Sequence, residues 1–182
     1  MLPLLPLPPN DCPNAGGVRA LRLWPARNVR PLPAYSGSNL TTAISLVDVG
    51  NYADVWFQPD QAGFDEPEVE DAQGTLYKPL LSLVLLRDAP DLQDALDRLR
   101  AVRYFLAAYQ DGNGLTKLVG TPDYPLRLAA GLETGKRPGD RNGYPLTLAG
   151  VTTKPAPFYL SQPVGQAPTR RAFSAGFSFG YS

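Results

Sequence analysis

Residues 102–119 read VRYFLAAYQDGNGLTKLV, and this stretch decides the fold. Its first half, 102–109, is an apolar and aromatic run of the kind that strands favour. The Asp-Gly-Asn-Gly at 111–114 is a strong turn signal, because glycine and asparagine tolerate the backbone conformations of tight turns. Residues 115–119 then return as a partner strand. The pattern predicts an antiparallel β-hairpin.

One helix stands out just before this hairpin. Residues 89–100 place leucines on one face at helical spacing. Asp88 is a candidate N-cap, and Pro90 suits the first turn, where a missing backbone N–H costs nothing. We therefore expect a short α-helix over about 89–100, packed at the side of the sheet.

Short strands joined by turns account for the rest of the chain. Its 20 prolines and 17 glycines suit many turns better than long helices. Further strands are predicted at 18–24, 28–32, 43–49, 53–57, 75–86 with a break at Pro79, 125–130, 144–151 and 158–160. Of these, 43–49 and 53–57 are expected to pair as a hairpin.

The predicted fold class is mainly β. We expect an antiparallel β-sandwich or barrel with one short α-helix packed at its side, an extended N-terminal arm and a C-terminal strand. Residues 1–16, which are rich in proline, are predicted to form the arm. Residues 17–182 are predicted to form a single β-rich domain.

The last ten residues of the sequence alternate between large and small side chains. Residues 173–182 read FSAGFSFGYS, so a strand here would carry an aromatic face and a face of minimal bulk. The aromatic face requires burial, and the small face allows close approach of another backbone. Two interpretations stay open, a closing strand of the chain's own sheet or an element of assembly. The residues predicted for an assembly interface are Phe173, Gly176, Phe177, Phe179 and Tyr181.

Five acids crowd one short stretch. Asp65, Glu66, Glu68, Glu70 and Asp71 fall within a predicted loop over 60–74. Their spacing does not alternate as a calcium-binding loop requires, so we expect solvated carboxylates. In an assembly they are predicted to face a lumen or to meet a neighbouring subunit.

Composition argues against several classes of chemistry. The chain has no histidine, which removes the commonest general base and metal ligand. Cys12 is the single cysteine, so no disulfide within the chain is possible. The 17 basic residues balance 17 acidic ones, so the net charge does not attract nucleic acid. No apolar run is long enough for a membrane-spanning helix. The sequence predicts no enzyme, no cofactor and no catalytic, cofactor-binding or metal-binding residues.

Several motifs follow one another in a recognisable order. Gly-Gly-Val at 16–18 opens the first strand, and the hairpin within 108–122 contains Leu-Val-Gly at 118–120. Pro-Leu-Arg-Leu at 125–128, Thr-Gly at 134–135 and Asn-Gly-Tyr at 142–144 follow. This order resembles virion structural proteins of tailed bacteriophages, most closely tail-tube-type subunits, over roughly 14–29 and 100–160. The resemblance implies a homo-oligomeric ring, expected to be hexameric. Such rings would stack into a tube around a lumen through which DNA passes. It also implies other tail proteins as partners, a place in the virion tail and synthesis in the bacterial host cytoplasm.

Two other functions remain open. One is a different tail component, a tail terminator or neck connector, which would form single rings. The other is a non-catalytic carbohydrate- or receptor-binding β-module, for which Trp24 and Trp56 could supply stacking surfaces.

Overall fold

A computed structural model describes residues 14–35, 37–58, 60–71, 74–86, 88–137, 140 and 142–161. The predicted strand over 173–182, residues 1–13 of the predicted arm and Cys12 lie outside the described residues. The predicted interface residues Phe173, Gly176, Phe177, Phe179 and Tyr181 lie there too, so their role stays a prediction.

The described residues form strands, one α-helix and a turn of 3-10 helix at Ala26–Asn28. The helix, α1, spans Pro90–Val102. The strands, in chain order, are β1 (Val18–Pro25), β2 (Asn39–Leu40), β3 (Ala53–Val55), β4 (Ala62–Asp65), β5 (Glu68–Asp71), β6 (Gly74–Tyr77), β7 (Leu80–Leu86), β8 (Tyr104–Asp111), β9 (Thr116–Val119), β10 (Leu126–Ala130), β11 (Gly143–Ala149) and β12 (Phe158–Tyr159). The predicted mainly β class with one helix is confirmed.

Strand β8 is the branch point of the main sheet. β1 pairs along one edge of β8 and carries β3 on its own far side. The other edge of β8 is shared, since β9 pairs with residues 107–110 and β10 with 104–105. From β9 the sheet continues to β12 and β2, and from β10 it continues to β11, β7 and β4. Because β4 also lies against β1, the sheet curls towards a barrel.

Both faces of β1 and β8 are buried. Inside the curl, Leu23 and Phe105 belong to one hydrophobic cluster. On the outside, Trp24 and Leu106 belong to a second cluster, which β2, β12 and the chain between 26 and 46 cover. A strand buried on both faces needs no polar alternation, which explains the unbroken apolar run in β8.

Helix α1 closes one side of the inner cluster. Leu96 is fully buried there, and Leu92 and Leu99 pack against its edge. The predicted helix is confirmed, although it ends at Val102, two residues later than expected. The predicted N-cap was wrong: the cap position is Ala89. Asp88 instead accepts a hydrogen bond of 2.7 Å from the Tyr144 hydroxyl of β11, which raises the pKa of that hydroxyl and ties the helix start to the sheet.

The predicted hairpin is confirmed in its strands and its turn. β8 and β9 pair in antiparallel fashion from Ala107 to Gln110. The Asp111 carboxylate accepts hydrogen bonds from the backbone N–H groups of Asn113 and Leu115. Gly114 takes a φ of +85°, a conformation that favours glycine. The turn is therefore stabilised by contacts among its own residues, as the sequence indicates.

The predicted loop over 60–74 is largely strand, so that prediction was wrong. β4 pairs with β7, and β5 pairs with β6 as a separate two-stranded sheet. The alternating side chains of β5 explain the acids there, since Glu68 and Glu70 point to solvent while Val69 is half-buried.

The predicted hairpin of 43–49 with 53–57 is also wrong. β3 pairs with β1, with Asp54 opposite Arg22. Leu46, from the other predicted strand, forms an isolated bridge to Val29. Partners distant in sequence have replaced the local pairing that the turn residues suggested.

Candidate assembly interface

Large apolar side chains are exposed in one short segment, residues 47–56. The exposed fractions are 65% for Val47, 77% for Val49, 45% for Tyr52 and 57% for Trp56. Single exposed apolar residues are ordinary on a protein surface, whereas apolar residues that group together are typical of interaction surfaces. These four are neighbours in sequence. We call these four residues the apolar patch.

A buried asparagine holds the base of the apolar patch. The Asn28 side-chain amide donates to the carbonyl oxygens of Asp48 and Asn51, at 2.8 and 3.0 Å. Its oxygen accepts a hydrogen bond from the backbone N–H of Asp48, at 2.8 Å. Because Asn28 is itself buried, these bonds fix the turn and hold Val47 and Val49 outward.

An ion pair fixes the strand that follows. Arg22 of β1 contacts the two carboxylate oxygens of Asp54 on β3, at 2.6 and 2.9 Å. This bond to Asp54 raises the pKa of Arg22. The guanidinium also lies 4.4 Å from the centre of the Tyr52 ring. Two-point contact gives orientation as well as attraction, so β3 and the aromatic ring beside it have a defined position.

A groove runs between β3 and α1. Among the described residues, β1 is the one strand that pairs with β3, so within them the second edge of β3 has no strand partner. Residues 52–56, on and around β3, line the groove. The groove has a volume of about 680 Å³. Leu85 and Leu96 line it together with residues from β3 and α1. Its walls include Trp56, Leu85, Asp91, Leu92, Asp94, Ala95, Arg98 and Leu99. We call this site the β3–α1 groove.

A second cavity, of about 350 Å³, lies on another part of the surface. Its walls carry Tyr35, Tyr124, Lys154 and several prolines. The Lys154 ammonium lies 5.6 Å from the centre of the Tyr35 ring. Glu66 also lines this cavity, which places one of the five predicted acids away from open solvent.

Glu66 corrects the expectation that all five acids are solvated. It is half-buried, and its carboxylate accepts the backbone N–H of Ala156, with oxygens at 3.0 and 3.2 Å. Burial raises the pKa of Glu66, while the hydrogen bond from Ala156 and the charge of Lys117 oppose that rise. The Glu66 side chain therefore belongs to the packing between β4 and the chain before β12.

The other predicted acids stand apart from Glu66. Asp65 is exposed at the end of β4, and Glu68 and Glu70 are exposed on β5. Asp71 ends β5 and pairs through its backbone with Gly74. The role of these acids at a lumen or a subunit contact stays a prediction.

A pH series should reveal the burial of Glu66. Because the pKa of Glu66 is raised in the folded protein, the folded state binds this proton more tightly than the unfolded chain does. The contribution of Glu66 protonation to the free energy of unfolding is therefore complete below the ordinary carboxyl pKa. That stabilisation is lost as the pH rises through the raised value. Glu66→Gln abolishes the titration. Relative to this variant, the original chain should therefore lose free energy of unfolding as the pH rises above the ordinary carboxyl pKa of about 4 and through the raised pKa of Glu66.

Urea unfolding of dilute protein at each pH measures this difference. Glu68→Gln is the matched control, because the same change at an exposed carboxylate should leave the profile nearly unaltered. A constant difference between the original chain and Glu66→Gln across the series would contradict the assignment.

Two kinds of feature are absent from the described residues. Within them, no three His, Cys, Asp or Glu side chains come together as metal ligands would. In that same part of the chain, no helix combines the length and apolar character needed to cross a membrane.

Comparison with known proteins adds no relative. No family model, curated protein or solved structure matches the chain. The candidate site therefore rests on its own geometry.

Sequence reasoning found only part of this site. The sequence offers Trp24 and Trp56 as stacking surfaces, and the structure exposes Trp56 but buries Trp24. Val47, Val49 and Tyr52 were not singled out. A usable signal did exist, because apolar residues alternate there with the turn formers Asp48, Gly50 and Asn51.

Proposed function

We propose that the chain is a structural, self-assembling subunit of a phage or phage-like tail. It would form stacked homo-oligomeric rings around a lumen through which DNA passes. The observation that carries this proposal is the apolar patch, whose Tyr52 and Trp56 flank β3, a strand with one edge unpaired among the described residues. An open strand edge flanked by exposed aromatic side chains is a liability in a monomer, because it invites pairing with another chain.

A closed ring removes this liability. When the edge and patch of one subunit meet a different surface of the next, the contact is head-to-tail, and a suitable rotation closes it into a ring. Every subunit then covers the apolar patch of its neighbour. A non-catalytic scaffold also fits the absence of histidine from the sequence.

The acids fit a lumen that carries DNA. Glu68 and Glu70 are exposed on the β5–β6 hairpin, which is separate from the main sheet. Carboxylates facing a lumen would repel phosphates, which favours passage of DNA over binding. In this proposal the protein is made in the host cytoplasm, resides in the virion tail and contacts other tail proteins.

Sedimentation velocity over a concentration series tests the proposal. The expected result is a mass that grows well above the 19.7 kDa of one chain, with rings or tubes in negative-stain images. Trp56→Ser should weaken this assembly, because it removes an exposed aromatic anchor. Leu132→Ser changes another exposed apolar residue, in the connection between β10 and β11, and should assemble normally. A monomer at every concentration, without rings, would rule the proposal out.

The same images separate the alternative tail roles. Single rings that never stack would favour a tail terminator or neck connector over a tube. A carbohydrate- or receptor-binding module is the second candidate, favoured by the exposed Tyr52 and Trp56 rings beside the β3–α1 groove. That function predicts a monomer whose tryptophan fluorescence changes when glycan is added.

A further inference from the structure

We propose that residues 172–182 of a neighbouring copy add to the open edge of β3 as a strand and fill the β3–α1 groove. This inference rests on the proposed self-assembly and names the contact that would carry it. The occupant is a second copy of this chain, through a segment that lies outside the described residues.

The groove has the form required for strand addition. One wall is the edge of β3, whose other edge already pairs with β1 through Leu21, Arg22 and Leu23. An extended segment laid along the second edge would receive main-chain hydrogen bonds from β3. Strand addition of this kind takes its affinity from the backbone and its specificity from alternate side chains.

The alternation of the segment matches the two sides of the groove. The large residues at 173, 177, 179 and 181 share one parity, so their rings would lie together on the apolar side formed by Leu85, Leu92 and Leu99. The glycines and serines would fall on the opposite face. On that face of β3 lie Asp54 and the exposed Trp56 ring, and an aromatic ring packs well over a glycine of an adjacent strand.

Charge adds a second match. Asp91 and Asp94 of α1 line the groove, with Arg98 beside them, while Asp54 is already bonded to Arg22. Arg170 and Arg171 precede the aromatic run, and residues 162–182 contain no acidic side chain. Arg170 and Arg171 would therefore lie near Asp91 and Asp94 when the following strand occupies the β3–α1 groove.

The length of the connecting chain allows a neighbour to be the donor. The segment leaves after β12, which the sheet order separates from β3 by β9, β8 and β1. The outer face across those strands is already covered by the chain between 26 and 46. Residues 162–171 could extend over roughly 35 Å, which is enough to cross a subunit boundary.

Cysteine cross-linking in the full chain tests the contact. In a Cys12→Ser background, Ala95→Cys on the groove-lining side of α1 is combined with single cysteine substitutions along 173–180. A disulfide requires close approach of the two backbones. Under mild oxidation with copper phenanthroline, substitutions at 173, 175, 177 and 179 should give several-fold more disulfide between chains than those at 174, 176, 178 and 180. The pair Ala95→Cys with Ala175→Cys is the mildest, and Ser174→Cys is its matched control.

Fluorescence of the unsubstituted chain provides a second measurement. The sequence has two tryptophans, and Trp24 is buried while Trp56 lines the groove. Assembly should shift the emission of Trp56 to shorter wavelength, and Trp56→Phe should abolish that shift. This measurement does not depend on the cysteine variants folding.

The outcomes separate this inference from the proposed function. Disulfides between chains with the expected alternation, together with the Trp56 shift, support it. Disulfides within one chain would overturn donation by a neighbour. Rings that form without cross-links or a Trp56 shift would overturn the inference and leave the proposed function standing. Absence of any assembly would overturn both.

Discussion

Replacing Phe105 by alanine should lower the free energy of unfolding by about 3–5 kcal/mol. The ring is 1% exposed inside the curl of the sheet. Phe105 also stands opposite Pro25 of β1 and Leu126 of β10, so it lies where two branches of the sheet meet. Truncation would remove a large apolar surface and leave a cavity that strands paired on both sides cannot close.

Urea unfolding with a matched neighbour measures this effect. Tyr104→Ala removes a ring from the adjacent position of the same strand, but Tyr104 is 45% exposed. That control should change the free energy of unfolding by about 0.5 kcal/mol or less. Equal losses in the two variants would contradict the assignment of Phe105 to the core.

Gly143→Ala should also destabilise the protein strongly, by about 3 kcal/mol, the upper end for overpacking. A Cβ at this position would clash with the backbone carbonyl oxygen of Leu85. Gly143 cannot move away easily, since it pairs with Leu86 of β7 and exchanges two hydrogen bonds of 2.9 Å with Glu133. The clash is therefore with backbone that is held from both sides.

Gly131→Ala is the matched control for this substitution. It introduces the same methyl group at the other end of the same connection, where the nearest atom, Pro145 Cγ, would be 3.9 Å away. Its midpoint of thermal unfolding should stay near that of the original chain, whereas that of Gly143→Ala should drop by several degrees. If the two variants melt together, β11 does not approach β7 as closely as described.

Features with a local cause were predictable from the sequence. The turn at 111–114 follows from Asp111 and Gly114, which need only their immediate neighbours to act. Pro79 lies between β6 and β7, as a residue without a backbone donor should. The leucine spacing of α1 likewise needs no knowledge of the rest of the chain.

Features that depend on distant partners were not predictable. Turn residues near Asn51 favoured a local hairpin, but the bidentate contact between Arg22 and Asp54 accompanies pairing of β3 with β1. Asp88 has the side chain of an N-cap, yet Tyr144 draws it to the sheet. Glu66 looks like its acidic neighbours in sequence, and only the approach of Ala156 distinguishes it. In each case the competing interaction comes from an element that no local pattern identifies.

The pairing of β1 with β8 has a consequence for synthesis of the protein. Leu23 lies opposite Ala107, so roughly 85 residues must be translated after β1 before its partner exists. At a synthesis rate of about 5–20 residues per second, that delay is roughly 4–17 seconds. During that time Leu21, Leu23 and Trp24 emerge from the ribosome with neither of their hydrophobic clusters in place. The nascent chain thus passes through an interval in which its first strand is open to chaperones, or to the first strand of another nascent chain on the same message.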